Sequence, residues 1–213
     1  FNNNTLSEVA DLSNLAGFHC NDMVVDDQGN AYIGNFGFNT YSGEEIRPAN
    51  LILVRPGEDP CLAADDLLFP NGTVITPDGK TLIVGETYAA RLTAFDINQD
   101  ATLSNRRVWA DFTLDADEGD IPLPDGMCLD VEGAIWVASP STAEVIRVKE
   151  GGEIFERIPV ETNAYACMLG GEDLKTLFIC TSNASGVDPE SALREKSGKI
   201  ETVTVEVQGA GKP

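Results

Sequence analysis

The chain has 213 residues, 42% of them hydrophobic, which suits one domain burying about 70% of its unfolded surface. Its 35 acidic against 14 basic residues give a net charge of −21, which argues against nucleic acid and anionic membranes as partners, since both need a cationic surface. No apolar run approaches the roughly 20 residues of a membrane-spanning helix. Five cysteines (Cys20, Cys61, Cys128, Cys167, Cys180) make an odd number without a Cys-x-x-Cys pair, so a reduced, cytoplasmic setting is expected rather than a disulfide framework. The chain starts at Phe1 rather than Met and shows no basic and apolar leader, which leaves open a processed product or a fragment.

In chain order, an opening strand is expected near Leu6–Asp11. The first copy of a recurring pattern follows, Asn21-Asp-Met-Val-Val-Asp-Asp-Gln-Gly-Asn-Ala-Tyr-Ile-Gly. It is a short apolar run, a tight turn at Gln28-Gly29 and a second apolar run, the signature of a β-hairpin. The second copy starts at Asn71 with its turn at Asp78-Gly79, the third at Asp125 with Glu132-Gly133, and a worn fourth at Ala166 with Glu172-Asp173. Between them, strands are expected at Leu51–Arg55, Arg91–Asp96, Arg107–Ala110 and Glu144–Lys149, and a closing strand at Lys199–Val207. Copies start 50, 54 and 41 residues apart, close to four short strands per unit, which reads as propeller blades. The chain is thus all-β, one domain over residues 1–213, with few helices. Three long polar segments, Gly37–Asn50, Asp111–Pro124 and Ser182–Gly198, read as loops of the kind that form lids or binding loops.

The first position of each copy holds Asn21, Asn71 and Asp125, then lapses to Ala166. In a propeller such positions from successive blades meet at one end of the central channel. Amide and carboxylate oxygens there suit Ca²⁺, Mg²⁺ or Mn²⁺ and can accept Zn²⁺. The competing reading is that Asn-Asp, Asn-Gly and Asp-Gly merely turn the chain into each strand. His19 is the only histidine, which excludes a multi-histidine zinc centre, and no Gly-x-Ser-x-Gly elbow supports a serine triad.

The segments Cys20-Asn-Asp-Met-Val-Val-Asp, Gly34-Asn-Phe-Gly-Phe, Phe69-Pro-Asn-Gly, Thr76-Pro-Asp-Gly-Lys-Thr-Leu, Leu123-Pro-Asp-Gly-Met-Cys-Leu-Asp and Ala166-Cys-Met-Leu-Gly-Gly together resemble the SMP-30/gluconolactonase (regucalcin-like) family, from about Val9 to the last strand. That resemblance implies a six-bladed β-propeller, of which this chain covers about four blades plus partial ones. It also implies a divalent metal, Ca²⁺ first, and hydrolysis of sugar lactones or related esters. By the same resemblance Asn71 and Asp125 match metal ligands, Asp125 matches the general base or nucleophile, and Asn21 matches an asparagine that contacts substrate. His19 stands where several relatives carry arginine and becomes a second candidate substrate contact. The glutamate ligand that relatives place in their first blade has no counterpart after Phe1. A non-catalytic calcium-binding propeller and a phosphotriesterase are the alternatives, and exposed blade edges imply self-association.

Overall fold

Each copy of the repeat folds as the hairpin its turn dictates. Gly29, Gly79 and Gly133 sit at φ 86°, 70° and 78°, a left-handed conformation that glycine adopts without steric cost. Their amides close four-residue turns onto the carbonyls of Asp26, Thr76 and Asp130 at 3.1, 2.8 and 3.1 Å. In the worn fourth copy the turn falls at the expected Glu172-Asp173, the central pair between Gly171 and Leu174, and Leu174 itself takes the left-handed φ of 57°.

The computed structural model describes residues 6–114, 121–184, 188 and 190–211. Four antiparallel sheets follow one another along the chain. The first holds β1 (Cys20–Val25), β2 (Ala31–Asn35), β3 (Ala49–Val54) and β4 (Cys61–Leu67). The second holds β5 (Pro70–Ile75), β6 (Thr81–Glu86), β7 (Arg91–Ile97) and β8 (Leu103–Asp111). The third holds β9 (Met127–Leu129), β10 (Ile135–Ser139), β11 (Glu144–Val148) and β12 (Ile154–Pro159). The fourth holds β13 (Asn163–Gly170), β14 (Thr176–Ser182) and β15 (Lys199–Thr204). Helix is confined, among the described residues, to a 3₁₀ turn at Thr87–Ala89 and a five-residue α1 (Ser191–Glu195) in the last long loop. Part of the expected loop Asp111–Pro124 lies outside the described residues.

Each sheet packs face to face on the next, and each core is such an interface. Tyr32, Leu51 and Leu53 of the first sheet meet Leu82, Val84 and Phe95 of the second. Val74, Ile83 and Leu92 of the second meet Met127, Ile135 and Val137 of the third. Cys128, Trp136 and Val145 of the third meet Cys167, Leu177 and Ile179 of the fourth. Every fully buried leucine or isoleucine here stabilises the stack by about 1.5–3 kcal/mol. This is a propeller arrangement of four blades.

Three expectations change. No strand forms near Leu6–Asp11: Leu6 and Val9 point into solvent. Instead Leu12, Leu15 and Ala16 close a turn and pack on Ala31, Ile33 and Ile52, covering the first sheet. The expected closing strand ends at Thr204 and is the third strand of the fourth sheet, paired to β14 along Thr176–Thr181. The chain beyond it returns to the third sheet, where Val131 N–H donates to Gln208 O and Ala210 N–H to Leu129 O, both 3.0 Å. Cys128 and Cys167 are buried as small apolar groups, but Cys180 is exposed because it alternates onto the uncovered face of β14.

Candidate functional site at the head of the inner strands

The inner strands β1, β5, β9 and β13 start at the same end of the stack, opposite the hairpin turns, and their first residues are stitched together. The Asn21 side-chain amide donates to the Pro70 carbonyl at 3.4 Å, so the first copy touches the residue before Asn71. Asn71 is buried; its amide donates to Thr87 Oγ1 at 3.1 Å, and it lies close enough to the Asp125 carboxylate to favour the charged form. Thr87 Oγ1 in turn donates to the Pro124 carbonyl at 2.7 Å. The Gly126 amide donates to Tyr165 O at 3.0 Å, which continues the seam into the fourth sheet. Asn71 and Asp125, 54 residues apart in sequence, are therefore side by side, with Asn21 one residue along.

The glycines of the motif do a different job from the turn reading. Neither Gly72 nor Gly126 has a positive φ. A Cβ on Gly72 would lie 2.2 Å from the Asp125 carbonyl oxygen, and one on Gly126 would lie 2.8 Å from the Ala166 Cβ. Glycine is required because adjacent inner strands approach too closely for any side chain. That approach is what brings the residue before each glycine within reach of its counterpart on the next sheet.

Burial pushes the Asp125 carboxyl up to about 7, and the nearby Asp22 charge adds to the rise. The hydrogen bonds it accepts from the Gly126 backbone and the Asn71 amide oppose that rise without cancelling it. Asp22 itself is open to solvent on one side, yet the inner wall crowds it enough that lost hydration raises its carboxyl as well. The Asp22 charge is felt at Asp125, and like charges disfavour simultaneous ionisation.

Sequence reasoning missed two members of this group. Asp22 directly follows Asn21, and its acidic side chain beside the pattern's first position was the available signal. Thr87 lies in the 3₁₀ turn, outside the pattern, and nothing in the sequence marked it. His19 is exposed and is not among the polar contacts; its ring lies 4.1 Å from that of Phe18 and 6.2 Å from that of Phe36. Among the described residues no group of three or more His, Cys, Asp and Glu side chains gathers as a metal cluster. The donors that do gather are amide and carboxylate oxygens, with the Asp22 charge raising the affinity of Asp125 for a proton. That set fits a hard dication and does not fit an imidazole or thiolate zinc centre.

Fold and site define a class, a β-propeller that presents oxygen donors at one mouth of its inner strands. The model of the SMP-30/Gluconolactonase/LRE-like region matches residues 1–183, and the chain belongs to that family. It is 28% identical over 211 residues to regucalcin of Danio rerio, covering 97% of this chain and 68% of that protein. It is 31% identical over 196 residues to regucalcin of Xenopus laevis, covering 86% of this chain and 61% of that protein. Among solved structures, a calcium-binding regucalcin from Agrobacterium tumefaciens superposes with a TM-score of 0.73 at 23% identity, over 91% of this chain and 63% of that one. A gluconolactonase from Xanthomonas campestris gives 0.61 at 27% identity, over 76% and 54%. The chain spans about two thirds of the length of the regucalcins it matches.

Proposed function

We propose that this chain carries the site of a metal-dependent lactonase, hydrolysing a sugar lactone or related carboxylic ester. The observation that carries the reading is the close approach of β5 to β9, which sets Asn71 beside Asp125, in a chain similar to a gluconolactonase. Asn71 and Asp125 would hold a divalent cation, Ca²⁺ first, with the Asp22 carboxylate beside them. When bound, that cation supplies Lewis-acid polarisation of the substrate carbonyl.

The chain's own residues supply the rest. Asp125 takes the proton of the attacking water; burial holds its carboxyl up, and a bound cation would favour the carboxylate form that this role needs. Asn71, fixed by Thr87, keeps that carboxylate aimed across the seam. The Asn21 amide, at the edge of the same group, orients the substrate. Buried Asn71 and the tight glycine contacts keep bulk water out from beneath the site. The five free cysteines fit a reduced compartment such as the cytoplasm.

The test is a pH-indicator assay on gluconolactone with EDTA and with added Ca²⁺, alongside calorimetric Ca²⁺ binding. Asp125→Ala is expected to lower kcat by about 10²–10⁴-fold and to weaken Ca²⁺ binding with it. Near-normal kcat in that variant would place the base elsewhere. The second reading is a calcium-binding propeller without turnover, favoured by the absence, among the described residues, of a third acidic or imidazole ligand. Ca²⁺ binding that Asp125→Ala abolishes, with no hydrolysis by the parent protein, is the result that selects it.

A further inference from the structure

The mouth beside Asn71 is walled by aromatic rings in an unbroken series. Phe36 stacks on Phe69 at 4.5 Å between centroids and 26° between planes, and Tyr88 meets Phe69 edge-on at 5.0 Å and 74°. On the other side Phe36 reaches Phe18 at 6.3 Å and Tyr41 at 6.4 Å, and both neighbour His19. His19 and Tyr41 are exposed, while Phe18, Phe36, Phe69 and Tyr88 are half-buried. Ring surface therefore faces solvent at the same end as the Asn71–Asp125 pair, two residues from Asn21 and two from Asn71.

The wall is held as firmly as the polar site because the two share supports. The Thr87 amide donates to Phe69 O at 3.2 Å and the Tyr88 amide to Leu68 O at 3.3 Å, and the Thr87 hydroxyl is what fixes Asn71 and Pro124. Phe69 is kept at φ 58°, a sparsely populated conformation for an aromatic residue and one that persists only where the surroundings over-determine it. At the foot of the wall, the Asn35 side chain accepts from the Gly17 and Gly37 amides at 3.1 and 3.0 Å and donates to Asn50 O at 2.7 Å. That network anchors the loop carrying Phe36. Three of the rings, Phe18, Phe36 and Phe69, carry no polar atom, so this side of the mouth offers few partners to a polyhydroxylated ligand and a flat face to an apolar one.

We propose that this wall is a specificity subsite for a planar apolar group attached to the scissile ester, so that the site prefers aryl-bearing or benzo-fused lactones to polyhydroxylated ones. The proposal rests on the hydrolytic reading above and selects, within it, the related carboxylic esters over the sugar lactones. The aromatic group stacks against Phe36 and Phe69, and the carbonyl then projects toward Asn71 and Asp125. No covalent role is assigned to the rings.

The test compares the full chain, with Ca²⁺ added, on three six-membered lactones that all release an alkyl alcohol: benzo-fused 3-isochromanone, unsubstituted δ-valerolactone and gluconolactone. In parallel, ligand-observed NMR follows binding of the non-hydrolysable lactams that correspond to the first two. The variant is Phe36→Leu, which keeps apolar bulk and is checked for a cooperative melt; Tyr41→Leu, on an exposed side chain, repeats the comparison should Phe36→Leu fail to fold. The expected result is a kcat/KM for 3-isochromanone at least about tenfold above that for δ-valerolactone. Phe36→Leu then lowers 3-isochromanone turnover and benzo-fused lactam binding about three- to tenfold, as loss of one aromatic pair implies, and leaves the aliphatic ligands unchanged. Turnover of all three lactones without preference, or an equal effect of the variant on each, overturns the subsite while the hydrolytic reading stands. Ring-dependent lactam binding with no turnover of any lactone sinks hydrolysis and keeps the subsite. Neither turnover nor lactam binding removes both.

Discussion

Glu86, fully buried at the end of β6, shows how one residue ties the site's support to the fold. Its carboxylate accepts from the Leu68 amide at 2.9 Å, from Arg91 Nε at 2.8 Å and from Thr93 Oγ1 at 2.5 Å, and Arg106 stands at 3.5 Å. Burial pushes its carboxyl up, but the hydrogen bonds from Arg91, Thr93 and Leu68 outweigh it and leave the group below the usual carboxylate range. A depressed carboxyl stabilises the fold above its unfolded pKa, near 4.3, and that contribution is lost as pH falls through the lower folded value. Glu86→Gln removes the charge that faces Arg91 and Arg106; since both are about a third exposed, the expected loss is about 1–3 kcal/mol, under the range for a wholly buried pair. Denaturant midpoints over a pH series test this: the gap between parent and variant should be widest at about pH 7 and narrow as pH falls below the usual carboxylate range. At this scale Asn71 and Asp125 were legible because their register repeats. Thr87 and Glu86 were not, because their roles come from contacts between a 3₁₀ turn, a loop and a neighbouring strand that no local pattern encodes.

Between elements, the close approach of β5 and β9 is the feature on which the site's geometry turns. A methyl group at Gly72 would meet Asp125 O at 2.2 Å and Met127 N at 2.9 Å, both backbone atoms, so the strands must part. Gly72→Ala is expected to cost about 1–3 kcal/mol by overpacking and to pull Asn71 off Asp125, lowering both the melting temperature and lactonase activity. Gly79→Ala makes the contrast: its Cβ would meet nothing within 4 Å, but the residue sits at φ +70, so it should cost about 1–2 kcal/mol of backbone strain and leave kcat unchanged. Equal activity loss in the two variants would show that the β5–β9 approach does not set the site. The hairpins were legible because turn glycines and flanking apolar runs are local signals. The outer strands β4 and β12 escaped because one side of each faces water, and segments such as Leu62-Ala-Ala-Asp-Asp and Phe155-Glu-Arg carry little of the apolar alternation that marks a half-buried strand. The segment Val9-Ala-Asp-Leu misled because its alternation suits a strand, while in the fold Val9 stays in solvent and Leu12 packs on the first sheet from within a turn.

For the whole molecule, the four sheets leave apolar surface at both ends of the stack. On the fourth sheet Met168, Phe178 and Ile200 are exposed, Ile200 by 69%, and on β1 of the first sheet Met23 and Val25 are exposed by 52% and 51%. Interior faces of the stack bury equivalent positions against the next sheet, as Leu177 and Ile179 do on the other side of β14. Contiguous apolar surface of this kind favours association, and a net charge of −21 opposes it by mutual repulsion. Which effect wins depends on salt, because the Debye length falls from about 10 Å at 0.1 M to about 3 Å at 1 M. We therefore expect the chain to be mainly monomeric in dilute buffer at low ionic strength and to self-associate as salt rises, in a concentration-dependent way. Ile200→Glu should restore the monomer at high salt without lowering the melting temperature, since the side chain it replaces is mostly solvated. Light scattering coupled to size-exclusion chromatography at two salt concentrations decides the matter: a parent chain that stays monomeric at 1 M salt and high protein concentration would show that these faces do not drive assembly.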